Sequence, residues 1–178
     1  MKNLLILDLD ETLIFSTEKK LDYENDFNAD GYYTYKRPYL DEFLEEVFKH
    51  FKVAVWTSAG ELYAKQIIDN VLTEDQKLEF LFSSDRCTLK FDRENQTYYN
   101  VKKLSKLKKR YNLRNILIVD DTPIKASYNY GNYIRVNPFE GDEKDEELRF
   151  LKDYVISFKD CDNVRNIEKR NWKERYER

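Results

Sequence analysis

Cysteine, histidine and long apolar runs are all scarce in this chain of 178 residues, and each shortage excludes a class of protein. The two cysteines, Cys87 and Cys161, cannot build a disulfide framework, so we expect a reducing compartment. No apolar segment is long enough to cross a bilayer, and no secretory signal precedes the first apolar run. The sequence therefore predicts an intracellular, cytoplasmic protein, nuclear if its source is a eukaryote, with no membrane partner.

Positive charge is not in excess either, because 31 lysine and arginine residues face 34 aspartate and glutamate residues. A net charge of -3 argues against a general nucleic-acid partner, which needs a basic face. The single histidine, His50, gives little support to a zinc site or a histidine-based mechanism. Without repeats, linkers or low-complexity segments, residues 1–178 are predicted to form one domain, and we expect a monomer.

Short apolar runs alternate with amphipathic segments along the chain. The run Leu4-Leu5-Ile6-Leu7 is typical of a strand buried on both faces, and similar runs occupy 53–56, 80–82, 115–119 and 133–136. Apolar residues at steps of three and four predict helices at 39–51, around 64–72, at 102–111 and at 145–158. The charged segment 162–178 is predicted to be a partly docked helical tail.

Two further segments indicate small insertions into this pattern. Asp30-Gly31 lies between β-prone residues, which is typical of a hairpin, and residues 86–101 form a second excursion with its turn at 93–96. Strands that alternate with helices imply right-handed crossovers and a parallel sheet. The predicted fold class is therefore α/β: a Rossmann-like three-layer sandwich with a mostly parallel central sheet and small β-hairpin insertions.

Polar and acidic residues follow three of the predicted strands, and the carboxyl ends of parallel strands meet at one edge of a sheet. These residues are Asp8 and Asp10 after the first strand, Thr57 and Ser58 after the second, and Asp120 and Asp121 after 115–119. Four carboxylates in one crevice would repel each other without a cation. Because their ligand atoms are all oxygen, Mg²⁺ is the cofactor that we expect.

The segment Asp8-Leu9-Asp10-Glu11-Thr12-Leu13 resembles the first motif of the haloacid dehalogenase superfamily of phosphatases. The whole chain resembles the small phosphatases that act on the C-terminal domain of RNA polymerase II, also called the NLI-interacting-factor family. Collinear matches cover 36–38, 42–44, 56–59, 63–64, 86–87, 101–105, 119–123, 145–148 and 163–165. The resemblance implies a domain without a large cap and a phosphoprotein or phosphopeptide substrate, bearing phosphoserine or phosphothreonine.

The resemblance also implies roles for individual side chains. Asp8 is similar to the family nucleophile, which forms an aspartyl-phosphate, and Asp10 to the general acid that protonates the leaving oxygen. Thr57, Ser58 and Lys102 are similar to the residues that bind the transferring phosphoryl group, Thr57 and Lys102 being catalytic.

The same resemblance implies that Mg²⁺ is held by four residues: Asp8, Asp10, Asp120 and Asp121. Asp10 would use its backbone carbonyl, and Asp121 would be a closer ligand than Asp120. Arg37, Tyr33 and Tyr99 are candidates for substrate binding, because relatives form an apolar pocket for a proline beside the phosphoserine. The simpler interpretation is that Arg37 only braces the hairpin and that the aromatic rings cover the sheet edge.

Two of the candidate phosphate ligands also have purely structural interpretations. Thr57 could cap the following helix, and Lys102 could be one more solvated lysine of a basic helix. Lys103 occupies a position where relatives usually have aspartate, and Ser58-Ala59 has the reverse of the order that is usual in the family. These two differences weaken the prediction of the substrate. The function could equally be that of a phosphatase for a small metabolite or nucleotide, or of a catalytically silent binding module with the same fold.

Overall fold

The computed structural model describes residues 2–176, and its secondary structure follows the predicted alternation of strands and helices. The β-strands are β1 (Leu4–Leu7), β2 (Ile14–Thr17), β3 (Phe27–Ala29), β4 (Tyr32–Lys36), β5 (Lys52–Trp56), β6 (Leu81–Phe82), β7 (Thr88–Asp92), β8 (Thr97–Val101), β9 (Ile116–Asp120) and β10 (Tyr133–Arg135). The α-helices are α1 (Leu40–His50), α2 (Glu61–Val71) and α3 (Glu147–Ile156). No helix in the described part of the chain has both the length and the apolar character that a membrane span requires.

A parallel sheet of five strands, in the order β10-β9-β1-β5-β6, forms the centre of the molecule. The predicted α/β fold class is therefore confirmed. Strand β1 lies in the middle, where Leu5 and Leu7 pack against the side that carries α1, α2 and α3. Leu4 and Ile6 pack against the opposite layer. An unbroken apolar run suits this strand because both of its faces are covered.

The opposite layer is not the helix that the sequence predicts for 102–111. Residues Leu104–Leu107 form a 3₁₀ turn whose two leucines pack on the sheet. The backbone N–H of Lys102 donates to the carbonyl of Lys125 at 2.8 Å, and that of Leu104 donates to Asn129 Oδ1 at 3.2 Å. These tertiary hydrogen bonds fix where the segment begins, and the bonds within the turn are of the 3₁₀ type, for example from the N–H of Lys106 to the carbonyl of Lys103 at 3.0 Å. The prediction of an α-helix was therefore wrong.

The tail is docked, as predicted, but it contains no α-helix within residues 162–176. Its regular structure consists of two 3₁₀ turns, Val164–Asn166 and Lys173–Arg175. The buried ammonium of Lys169 donates to the carbonyls of Gly131 and Ile167 at 2.9 and 2.8 Å. The buried Trp172 stacks on Tyr154 with ring centroids 5.1 Å apart. Long-range contacts therefore determine the path of this segment. Residues 177–178 of the predicted tail lie outside the described residues.

Two antiparallel insertions extend from the sheet. The predicted hairpin is confirmed as β3 and β4, and its turn residues Asp30 and Gly31 have φ of 49° and 86°, as a type I′ turn requires. The sequence analysis missed β2, which pairs with β4 to complete a three-stranded sheet. The second excursion is the hairpin β7–β8.

Arg37 is the most deeply buried cation of the first insertion, since 1% of its surface is exposed. Its Nε and one terminal nitrogen donate to both carboxylate oxygens of Asp145 at 2.8 and 2.7 Å. The other terminal nitrogen donates to the carbonyl of Thr12 at 3.1 Å. This bidentate pair fixes the loop after β1 to the start of α3, and it supports the interpretation that Arg37 braces the structure.

We predict that Asp145→Asn lowers the free energy of unfolding by about 3 kcal/mol, because it leaves the buried guanidinium of Arg37 without its counter-charge. Denaturant unfolding measures this loss. The matched control is Arg149→Gln, which breaks the exposed pair of Arg149 with Glu146 and is expected to leave stability nearly unchanged. Equal stability of Asp145→Asn and the wild type would contradict the structural importance of the pair.

Candidate active site

The candidate site lies at the carboxyl ends of the central strands, as the sequence predicts. Asp8 follows β1, Thr57 follows β5, and Asp120 is the last residue of β9. The backbone N–H of Asp8 donates to the carbonyl of Val119 at 3.0 Å, so sheet pairing continues into the site. Asp8, Thr57 and Asp120 are each at most 1% exposed.

Lys102 is the centre of the charge arrangement. Its ammonium is completely buried and lies 2.8 Å from Asp8 Oδ1 and 2.6 Å from Asp120 Oδ2. Burial by itself would lower the pKa of Lys102, but the carboxylates of Asp8 and Asp120 outweigh it and raise that pKa. The pKa of Asp120 is raised by burial and by the charge of Asp8, against the opposing effect of Lys102. Lys102 is therefore a fixed cation, not one more solvated lysine.

A second lysine, Lys125, also reaches Asp8, and the sequence analysis missed it. Its Nζ lies 3.5 Å from Asp8 Oδ2, on the 3₁₀ turn Pro123–Ala126 that follows β9. Burial lowers its pKa, but Asp8 and Asp120 outweigh this effect and raise it, so the side chain carries a positive charge. The only sequence signal for Lys125 is its place just after the acidic pair, which identifies no partner.

Three carboxylates form a candidate site for a divalent cation. One oxygen from each of Asp8, Asp120 and Asp121 lies within 4.8 Å of the other two, and all three residues are buried. Asp8 Oδ2 is buried and makes no hydrogen bond, and the ammonium of Lys125 lies 3.5 Å from it. Both oxygens of Asp120 accept hydrogen bonds, from Lys102 and from the backbone N–H of Thr122. Both oxygens of Asp121 also accept, from the hydroxyls of Thr122 at 2.8 Å and Thr12 at 3.5 Å, so hydrogen bonding does not rank the two residues as ligands. These all-oxygen donors fit a hard cation.

The carboxylate of Asp10 stands apart from this cluster, in a chain of hydroxyl groups. The hydroxyl of Tyr63 lies 2.5 Å from Asp10 Oδ1 and 2.7 Å from Ser16 Oγ, which in turn is 2.9 Å from Thr34 Oγ1. Burial raises the pKa of Asp10, the hydrogen bond from Tyr63 opposes this, and the charge of Asp8 adds to the increase. The result is a carboxyl group with an increased tendency to hold a proton beside the buried Asp8.

Thr57 and Ser58 form the rim of the site before α2. The hydroxyl of Thr57 accepts a hydrogen bond from the backbone N–H of Ala59 at 3.0 Å, which fixes the turn. It does not cap α2, because the N-cap of that helix is Gly60. Within the described residues, the buried Ser58 Oγ has no hydrogen-bond partner. Burial raises the pKa of the Cys87 thiol and the hydroxyl of Ser58 opposes this, so Ser58 Oγ lies beside that thiol.

The candidate substrate residues are not brought together at the site. Arg37 is buried beneath the loop after β1, so it positions that loop. Side chains alternate along β4, where Thr34 joins the hydroxyl chain and the ring of Tyr32 packs 6.3 Å from that of Tyr63. Tyr33 therefore lies on the face of β4 opposite to Thr34 and Tyr32. Tyr99 is half-buried on β8, paired with Lys90 of β7.

Comparison with known proteins agrees with this geometry. A family model described as NLI interacting factor-like phosphatase matches residues 3–165. The CTD phosphatase-like protein 355R of Invertebrate iridescent virus 3 is 32% identical over 181 residues, which cover 89% of this chain and 97% of the viral protein. CTD small phosphatase-like protein 1 of Caenorhabditis elegans is 34% identical over 154 residues, which cover 83% of this chain but only 30% of the relative.

A solved structure shares the fold. The fission yeast RNA polymerase II CTD phosphatase Fcp1-R271A bound to beryllium fluoride has a TM-score of 0.59 and 18% sequence identity, over 98% of this chain and 54% of the yeast chain. The parallel five-stranded sheet is therefore a known architecture.

We predict that Asp121→Asn weakens the binding of a divalent cation about tenfold or more, because one of three carboxylate charges is removed from the cluster. Calorimetric titration with MgCl₂ measures this change. Asp69→Asn, which alters an exposed carboxylate on α2, is the matched control and is expected to leave the affinity unchanged. Wild-type affinity in Asp121→Asn would place the cation elsewhere.

Proposed function

The chain belongs to the family of NLI interacting factor-like phosphatases, and on this premise we propose that it hydrolyses phosphomonoesters through an aspartyl-phosphate on Asp8. That membership confirms the resemblance inferred from the motifs. The observation that carries the proposal is the buried Asp8 held by Lys102, with its second oxygen free of hydrogen bonds. The proposed cofactor is Mg²⁺, held by Asp8 and Asp121, with Asp120 beside them and the backbone carbonyl of Asp10 as a further ligand.

In the first step, Asp8 Oδ2 attacks phosphorus while the bond from phosphorus to the leaving oxygen breaks. Asp10 donates its proton to that oxygen, and its raised pKa suits this task. Lys102 fixes the other oxygen of Asp8, so the nucleophile does not need to reorient. When bound, Mg²⁺ would reduce the repulsion between the carboxylate and the phosphate.

In the second step, Asp10 accepts a proton from a water molecule, whose oxygen attacks phosphorus and releases Asp8 and inorganic phosphate. Lys125, Ser58 and Thr57 are the groups that we assign to the phosphoryl oxygens during both steps. Lys125 supplies positive charge at Asp8 Oδ2, and Ser58 supplies an unpartnered hydroxyl. A cation and oriented donors stabilise charge that develops on the phosphoryl group.

Proteins that carry phosphoserine or phosphothreonine are the substrates that we propose. Within residues 2–176, the insertions into the fold are two small antiparallel sheets and not a large cap, which favours a polypeptide substrate. A set of phosphopeptides, sugar phosphates and nucleotides compared by kcat/KM tests this choice. A clear preference for a metabolite would overturn the protein substrate, and a folded chain with no hydrolysis would favour a binding module.

Asp8→Asn is predicted to abolish hydrolysis of an aryl phosphate, with a loss of at least about a thousandfold, because the amide cannot form the phosphoenzyme. Steady-state kinetics with and without Mg²⁺ measure the loss, and circular dichroism verifies the fold. Asp69→Asn serves as the control and is expected to keep wild-type activity. Substantial turnover by Asp8→Asn would exclude this nucleophile.

Tyr63→Phe is predicted to lower kcat about tenfold for a phosphoserine peptide but to change p-nitrophenyl phosphate hydrolysis little. Tyr63 orients the general acid Asp10, and a serine alkoxide needs protonation whereas nitrophenolate leaves without it. Tyr154→Phe removes a buried hydroxyl that has no partner within residues 2–176 and is the matched control. An equal loss for both substrates would assign Tyr63 to folding or binding instead.

A further inference from the structure

The basic residues of this acidic chain are unevenly distributed. Seven of its 31 lysine and arginine residues lie within residues 95–119, where there is no aspartate or glutamate. Lys102 serves the active site. The other six reach solvent, and none forms an ion pair with a carboxylate of the described residues; they are Lys103, Lys106, Lys108, Lys109, Arg110 and Arg114. In contrast, Lys49 and Lys65 pair with glutamates of their own helices. The basic stretch thus presents uncompensated positive charge on the surface.

One end of this surface opens into a groove of about 530 Å³, which is lined by Arg114, Arg165, Tyr128 and Tyr130 among others. Gly131 forms part of its wall, and a Cβ atom there would lie 3.2 Å from both Cβ and Nε of Arg165. The absence of a side chain at Gly131 lets Arg165 lie close against the backbone. No aspartate or glutamate lines the groove.

One wall of the groove lies near the active site and the other lies towards the amino end of the sheet, because Arg114 precedes β9, about 20 Å along the strand from Asp120. Ser127 lies on its wall and is two residues from Lys125, so the chain separates them by at most about 8 Å. Tyr128 is exposed and has the ammonium groups of Lys103 and Lys90 at 4.6 and 5.9 Å from its ring centroid. Positive charge is therefore present at the Tyr128 end of the groove as well as at the two arginines.

A nearby acid does not cancel this charge. Glu168 accepts a hydrogen bond from the hydroxyl of Tyr130 at 3.2 Å, but its carboxylate is also paired with Arg170 at 2.8 Å. The two arginines line the same groove, and guanidinium groups bind the oxygens of a phosphate dianion through paired hydrogen bonds.

We propose that this groove, formed around Arg114 and Arg165, binds a second phosphorylated residue of the peptide whose phosphate is hydrolysed at Asp8. The inference rests on the proposed function and specifies its substrate class as multiply phosphorylated protein segments. Phosphates are favoured over the carboxylates of an acidic peptide because a dianion can engage both arginines. Tyr128 contributes a hydroxyl donor at the groove, whereas the hydroxyl of Tyr130 already donates to Glu168.

The test compares kcat/KM for singly and doubly phosphorylated versions of one serine peptide, with the second phosphoserine about two to six residues away on either side. At the best spacing, the doubly phosphorylated peptide is expected to react about tenfold faster or more, and this advantage should shrink as salt rises. In Arg114→Gln/Arg165→Gln the ratio is expected to fall to near one. Because each ratio is measured on one enzyme, a loss of folded protein cancels.

Lys159→Gln is the control, because Lys159 is exposed and follows Phe158, whose carbonyl binds Asn3 at the amino end of the sheet. It is expected to keep both activity and ratio. The proposal that the groove binds a second phosphate would be refuted by either of two results. One is a ratio of kcat/KM values near one for the wild type at every spacing, and the other is an unchanged ratio in the double variant. Equal acceleration by a glutamate-containing peptide, or binding of single-stranded RNA without any peptide preference, would also refute it. No hydrolysis of any peptide or aryl phosphate would instead refute the proposed function.

Discussion

The sharing of one buried ammonium by two carboxylates is the constraint on which the rest of this structure depends. Lys102 lies between Asp8 and Asp120 with none of its side chain exposed. Buried charges are costly unless they are paired at good geometry. Strands β1 and β9 supply the two acids in register, and the chain must leave β8 at a point from which Lys102 can reach both. Asn129 and the carbonyl of Lys125 hold the backbone in that place.

The small antiparallel sheet contributes to the chemistry as well as to the shape. Ser16 on β2 and Thr34 on β4 extend the hydroxyl chain that reaches Asp10 through Tyr63. Arg37 follows the same sheet and secures the loop that carries Asp10. The proposed general acid is therefore oriented by an insertion and a helix, while the proposed nucleophile is oriented by the central sheet. In the proposed mechanism, this division keeps the nucleophile rigid while the general acid exchanges protons.

Positively and negatively charged residues are concentrated in different parts of the molecule. The candidate metal site concentrates carboxylates at the end of the sheet, and the basic stretch after β8 concentrates positive charge beside it. A ligand with several negative groups would be drawn to such a surface before contacting the site. The net charge of -3 conceals this arrangement, because an overall balance carries no information about position.

The sequence alone was sufficient for features that depend on local pattern. Unbroken apolar runs predicted the parallel sheet, and Asp30-Gly31 predicted a hairpin turn. Acidic residues after β1 and β9 predicted the candidate site. Each of these signals depends only on residues that are neighbours along the chain. The tertiary structure decided the rest. Residues 102–111 have helical periodicity, but the structure has a 3₁₀ turn there, whose first residue is held by Asn129. The path of residues 162–176 is determined by the contacts of Lys169 and Trp172. Lys125, Tyr63 and the buried pairing of Arg37 could not be predicted, because their partners lie far away in sequence and only folding brings them together.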